Sequence, residues 1–204
     1  MAIKNVLFDA DGVIQETMPD WLDHWKRMIP DPSEADGFVS DIFAAEYPHL
    51  LGEKGFEDSL KRVLKKWKIE VQLADVLYAW TLINPSEQIL AIVGNVRANG
   101  IRVALATNQQ QFRYQHMLET LRYDQYFDAL FVSCEMHVAK PSANYFEKII
   151  NQQGLQPSEF LFIDDSDRNV EAARQCGMNA ALYHLSEGVE AMKALLDRHE
   201  VRYT

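Results

Sequence analysis

An α/β fold is what this chain predicts: a doubly wound, mostly parallel sheet, interrupted by an all-helical insertion. Three observations carry that expectation. Short apolar runs alternate with amphipathic stretches along most of the chain. The runs are apolar almost throughout, as strands are when helices cover both faces of a sheet. Residues from about 16 to 83 break the rhythm, showing helical spacing and no evident strand.

Taken in order, the strand candidates are Ile3–Phe8, Ile101–Ala106, Ala129–Val132, Phe160–Ile163 and Ala180–Tyr183. Helical patterns lie between them. Ser86 is placed to cap a run with Ile89, Ile92, Val93 and Val96 on one face, and Gly100 follows as a stop. Tyr114, Met117, Leu118 and Leu121 repeat the same spacing. Pro141 opens a helix carrying Tyr145, Phe146, Ile149 and Ile150 that ends near Gly154, and Ala172, Ala173 and Cys176 precede Gly177 in the next.

The insertion, residues 16–83, holds all 4 tryptophans of the chain. Trp21, Trp25 and Met28 form one stripe, Phe56, Leu60, Val63, Leu64 and Trp67 another, and Val76, Leu77 and Trp80 a third. Pro30, Pro32, Pro48, Gly52 and Gly55 separate these helices. Helical spacing explains the aromatics as bundle core. The flanking segments, 1–15 and 84–204, then form the α/β core.

A chain of 204 residues is long enough to bury a substantial core. Thirty acidic against 20 basic residues give a net charge of −10, which argues against a nucleic-acid surface or a polybasic membrane contact. No apolar run approaches spanning length, and the N-terminus meets a charged motif by Asp9, unlike a signal peptide. Cys134 and Cys176 lie far apart with no metal-ligand spacing, so they read as free thiols in a reducing, cytoplasmic setting. His24, His49, His116, His137, His184 and His199 likewise show no metal spacing, although His24, Lys26, Arg27 and His137 lie where they could reach a substrate.

In a parallel α/β sheet, ligands sit beyond the carboxyl ends of the strands. The first candidate strand ends in Asp9-Ala10-Asp11-Gly12, the second in Thr107-Asn108, and the fourth in Asp164-Asp165-Ser166; a loop with Lys140-Pro141 follows the third. Residues i and i+2 of a strand share a face, so Asp9 and Asp11 can converge on one small volume. Two carboxylates that close repel one another, raising one pKa unless a cation sits between them. Each element has a plainer reading: Asp164 or Asp165 as a helix cap, Thr107-Asn108 and Asp-x-Asp-Gly as turn chemistry, and Lys140 as a surface lysine. All of these would have to hold together.

Asp-x-Asp-Gly, a strand-final Thr-Asn, Lys-Pro and Asp-Asp-Ser, in that order, resemble the four motifs of the haloacid dehalogenase (HAD) superfamily. The stretch from Phe162 through Asn169 to Ala173 is especially similar, and the insertion after the first motif looks like that superfamily's small helical cap on a HAD-like Rossmannoid core. The likeness covers essentially the whole chain. It implies phosphoryl transfer through an aspartyl-phosphate. Asp9 would be the nucleophile and Asp11 the general acid and then base, with nearby carboxylates helping it hold a proton. Mg²⁺ is the implied metal, held by the Asp9 carboxylate, the Asp11 backbone carbonyl and Asp165, with Asp164 beside or behind it. Thr107 and the backbone amides near Ala10, Asp11 and Asn108 would hold phosphoryl oxygens, and Lys140 would neutralise phosphate and nucleophile.

The resemblance implies a phosphatase for a small phosphorylated metabolite such as a sugar phosphate, acting as a monomer or weak homodimer. A 2-haloacid dehalogenase would need no metal and would lack the equivalent of Asp11. A phosphosugar mutase is faintly matched by Leu51–Leu60, but Phe56 stands where an arginine is expected. A non-catalytic binding protein on the same fold would require catalysis to be lost with every catalytic position intact.

Overall fold

The structure, a computed structural model, describes residues 2–204. Five parallel strands form the central sheet: β1 (Asn5–Phe8), β4 (Arg102–Thr107), β5 (Ala129–Val132), β6 (Phe160–Asp164) and β7 (Asn179–Leu182), in the order β5-β4-β1-β6-β7. All five match sequence candidates, with small shifts at the ends. β1 lies at the centre, in register Phe8↔Leu105 with β4 and Phe8↔Ile163 with β6. The chain builds outward from β1 through β4 and β5, then crosses back to add β6 and β7 on the other side. β1 is therefore the switch point, where the crevice of such sheets opens at the strand ends.

Strand periodicity distributes the core. Val6, Phe8, Val103, Leu105, Leu161 and Ile163 face one side, packing with α5 (Glu87–Ala98) and α10 (Val189–Arg198). Leu7, Ala104, Ala106, Phe160 and Phe162 face the other, against α8 (Ala143–Gln153) and α9 (Asp167–Gln175). Two covered faces explain why the central strands alternate so little in polarity. Ser86 does cap α5, its hydroxyl accepting from Ile89 N at 3.4 Å.

Residues between β1 and α5 supply four helices: α1 (Trp21–Lys26), α2 (Ala35–Leu50), α3 (Phe56–Trp67) and α4 (Leu73–Tyr78). They enclose their own cluster, with Trp25, Phe38, Leu60 and Val76 all but inaccessible to solvent. Trp25 packs edge-on against Trp80 at 4.4 Å between ring centroids and donates its indole N–H to the Val76 carbonyl at 2.8 Å. Trp25 and Trp80 are core, and Trp21 and Trp67 pack partly buried against it, as their spacing implies.

Three expectations need correction. Two short strands, β2 (Gln15–Thr17) and β3 (Ile83–Pro85), pair antiparallel where the helical unit leaves and rejoins the core. Each is too short to show alternation, and their pairing is non-local, so no local pattern announces them. Pro48 does not separate helices: α2 runs through it and continues for its last two residues to Leu50. The helix α6 (Gln111–Glu119) stops short of Leu121. Between β5 and α8 the chain makes one short turn, α7 (Ser133–Met136). Cys134 and Cys176 are free thiols, as expected. Among the described residues, no helix is long and apolar enough to cross a membrane.

Phe162 links the core to the strand-end chemistry. It is fully buried, packs edge-on against Phe146 at 5.2 Å, and lies 5.3 Å below the Lys140 ammonium. Phe162→Ala is expected to cost about 3–5 kcal/mol of stability; urea unfolding measures this.

Candidate active site

β1 delivers Asp9 just beyond its last paired residue, where Asp9 N still donates to the Ile163 carbonyl at 2.9 Å. The chain then turns sharply. The Ala10 carbonyl accepts from the backbone N–H groups of Val13, Ile14 and Gln15, and Gly12 adopts φ +74°, a conformation that favours glycine. A Cβ on Gly12 would lie 2.2 Å from Asp165 Oδ2, so this turn and the end of β6 are in direct contact. The Ala10 amide, expected to face phosphate, instead donates to Asp9 Oδ1 at 2.7 Å.

Lys140 stands between the two central strand ends. Its ammonium is 2.8 Å from Asp9 Oδ1 and 2.6 Å from Asp164 Oδ2, with all three residues buried. Asp164 Oδ1 also accepts from Ser166 N and Asn169 Nδ2, each at 2.9 Å, so the carboxylate is well satisfied. Asn108 fixes the lysine's backbone from both sides. Its Nδ2 donates to the Lys140 carbonyl at 3.0 Å, and its Oδ1 accepts from Lys140 N at 2.9 Å. Burial alone would drive the ammonium's pKa down; Asp9 and Asp164 outweigh it and hold that pKa above its ordinary value. Asp9 is pushed up to about 7, chiefly by burial and further by Asp164, with Lys140 only partly opposing.

Asp9, Asp164 and Asp165 each place a carboxylate oxygen within 4.8 Å of the others. Asp165 is half-buried, its pKa raised by burial and by Asp164, and its side chain makes no ion pair among the described residues. Three carboxylates against one ammonium leave excess negative charge in a desolvated space. The donor set is hard oxygen throughout, so the residues present fit a Mg²⁺-type cation.

Asp11 departs from expectation. Its carboxylate does not join the acid cluster but turns toward α6, where Arg113 grips it with two bonds: Nη1 to Oδ2 at 2.9 Å and Nη2 to Oδ1 at 2.7 Å. Gln15 Nε2 adds a bond to Oδ1 at 2.9 Å, and Gln109 Nε2 one to Oδ2 at 2.8 Å. Both carboxylate oxygens are thus met by amide and guanidinium donors. Gln109 Nε2 also reaches Thr107 Oγ1 at 3.1 Å, which ties the Asp11 carboxylate to the end of β4. Thr107 is buried where β4 ends.

Gln15, Gln109, Arg113 and Asn169 were not singled out as site residues. Arg113 stands in the first turn of α6 and Gln109 in the loop before it, so no helical spacing links them, and it is the end of β4 leading into α6 that brings both to Asp11. Glu46, on α2, had no signal at all. Burial pushes its carboxyl up to about 7, while the Arg113 charge, the Trp80 indole and the Gln110 amide oppose. Next to this network lies a cavity of about 690 Å³ between the 49–58 segment and α6 and α7, with Phe56, Phe112, Glu135 and His137 among its walls. The strand-end acids do not line it. Gly52 lets the helical unit approach there, since a Cβ would lie 2.3 Å from His137 Nδ1.

Fold and site together define a parallel α/β protein with an acid-rich centre at the carboxyl ends of its middle strands. The chain belongs to the haloacid dehalogenase-like hydrolases, whose family model matches residues 3–177. It is 24% identical over 201 residues to a Thermotoga maritima protein named phosphorylated carbohydrates phosphatase, covering 96% of this chain and 91% of that one. It is 25% identical over 189 residues to the phosphoglycolate phosphatase of Yersinia pestis, covering 86% and 78%. A magnesium complex of a HAD family enzyme from Bacteroides thetaiotaomicron superposes with a TM-score of 0.81 at 20% identity, over 95% of this chain and 99% of that one.

Glu46 makes stability depend on pH. Folding raises its pKa from 4.5 to about 7, so the native state binds the extra proton in that window. The group's contribution is complete below pH 4.5 and is lost as pH rises through 7. Glu46→Gln should flatten this fall by about 3 kcal/mol, read by thermal unfolding at acid and at mildly alkaline pH.

Proposed function

We propose that this chain is a Mg²⁺-dependent phosphatase that hydrolyses a small phosphorylated metabolite, sugar phosphates foremost, through an aspartyl-phosphate on Asp9. The observation that carries the reading is the ion-paired group of Asp9, Lys140 and Asp164, with Asp165 beside it, at the ends of β1 and β6. The names of the relatives support the same chemistry.

Asp9 Oδ attacks phosphorus in line with the ester oxygen; the P–O bond to the leaving group breaks, and Asp11 gives that oxygen its proton. Water then attacks the phosphoryl group and passes a proton to Asp11, which releases phosphate and restores the Asp9 carboxylate. Lys140 neutralises the growing charge on the phosphoryl oxygens and holds Asp9 in place. Thr107, with the amides near Asp11 and Asn108, holds the phosphoryl oxygens. The Ala10 amide is free for them only when Asp9 Oδ1 lets it go. Asp9, Asp165, the Asp11 carbonyl and Asp164 would hold Mg²⁺, which supplies charge neutralisation for the phosphate when bound.

The helical unit, residues 16–83, acts as a cap. The cavity between it and α6 and α7 has Phe56 and Phe112 offering apolar faces. A protein substrate fits poorly under such a lid. The free thiols accord with a cytoplasmic enzyme.

Purified protein with Mg²⁺ should hydrolyse p-nitrophenyl phosphate and members of a sugar phosphate panel. EDTA should abolish turnover, and Asp9→Asn should lower it by roughly a thousandfold or more. Turnover that survives both treatments, or chloride release from a haloacid without metal, would overturn the reading.

A further inference from the structure

The donors to Asp11 come from two parts of the chain. Arg113 and Gln109 belong to α6 and the loop before it, whereas Gln15 is the first residue of β2. Behind Gln15 stands Tyr123, which opens the short helical turn Tyr123–Gln125 ahead of β5. The Tyr123 hydroxyl donates to Gln15 Oε1 at 2.7 Å, and Gln15 Nε2 donates to Asp11 Oδ1 at 2.9 Å. Tyr123 and Gln15 are both all but closed to solvent.

Chemistry dictates the direction of this chain. A carboxylate only accepts, so the Gln15 amide must turn its NH₂ toward Asp11 and its oxygen away. A buried amide oxygen needs a donor, and the single hydrogen of the phenol supplies it. Each bond polarises the next, which strengthens the donor that Asp11 receives. Both ends of the strut are fixed. Gln15 N donates to the Ala10 carbonyl at 3.1 Å and its carbonyl accepts from Gly12 N at 2.8 Å, so Gln15 closes the very turn that carries Asp11. Tyr123 packs edge-on against Phe127 at 6.3 Å between ring centroids, and Phe127 packs on Phe8 of β1 at 6.4 Å.

We propose that Gln15 is a positioning residue for Asp11 and that Tyr123 acts through it, the pair forming a strut from the core that fixes the carboxylate for proton transfer to the leaving oxygen. Such a transfer needs heavy atoms about 2.6–3.2 Å apart, so a carboxylate free to swing by about an ångström loses much of its rate. This rests on the phosphatase reading and goes beyond it, since it assigns a role to two core residues that touch neither phosphate nor metal.

The test is a double-mutant cycle read on two esters: p-nitrophenyl phosphate and the best-hydrolysed member of the sugar phosphate panel. The sugar ester needs a proton on its leaving oxygen, and the aryl ester leaves without one. The ratio of their kcat/KM values therefore reads the proton that Asp11 delivers. Gln15→Met keeps the length of the side chain and removes the donor; it should lower kcat/KM on the sugar ester by about tenfold relative to the aryl ester. Tyr123→Phe, which removes one hydroxyl, should lower the same ratio by about threefold. In the double variant Tyr123→Phe should leave the ratio of Gln15→Met unchanged, because its route to Asp11 is gone. A merely structural role would lower both esters alike, and the two substitutions would add. If Gln15→Met does not fold, Tyr123→Phe alone carries the comparison of esters. An unchanged ratio, or effects on the ratio that add in the double variant, overturns this proposal alone, as does a wild type that turns over only the aryl ester. A wild type that turns over neither ester overturns the phosphatase reading and this proposal with it.

Discussion

The Lys140 ammonium lies between Asp9 and Asp164 in a space almost closed to solvent, and much of the molecule is organised so that this is tolerable. Taking three ions out of water costs several kcal/mol each, and their attraction offsets this only when geometry is good and the remaining lone pairs are satisfied. The fold meets both conditions. Parallel pairing of β1 and β6 sets the two aspartates side by side, Ser166 N and Asn169 occupy the far oxygen of Asp164, and Ala10 N binds Asp9. Phe162 forms an apolar floor beneath the ammonium. Even so, burial outweighs the help that the lysine gives, and the carboxyl of Asp9 stays raised to about 7.

The acids that gather at the centre were legible because strand ends are legible. An apolar run that stops at Asp9, and another at Asp164, states both the element and the edge of the sheet from which its acids project. Thr107, Asn108 and Lys140 followed from the same logic, and the structure brings all of them to one end of the sheet. The direction of a side chain is another matter. Asp11 shares strand spacing with Asp9, yet the turn at Gly12 has already taken the chain out of extended geometry, and Asp11 faces α6 instead of the acid cluster. The i, i+2 rule holds only within a strand, and β1 ends at Phe8.

Contacts between distant segments were the least legible. β2 and β3 are joined across the whole helical unit and have no pattern of their own. Glu46 looks like any exposed acid on a helix until α2 is packed near α6, and then burial changes its chemistry. The helical unit itself was easier, because tryptophans at helical spacing must find one another, and Trp21, Trp25, Phe43 and Trp80 do so edge to face.

Asn108 does something that its place in a strand-end turn conceals. By giving a hydrogen to the carbonyl of Lys140 and taking one from its N–H, its amide imitates a peptide unit and fastens the Lys140 loop to the end of β4. An aspartate could imitate only the accepting half of that handshake, and a leucine neither. The reach of a long, flexible ammonium is thereby governed from its root, through main chain, by a residue that carries no charge of its own.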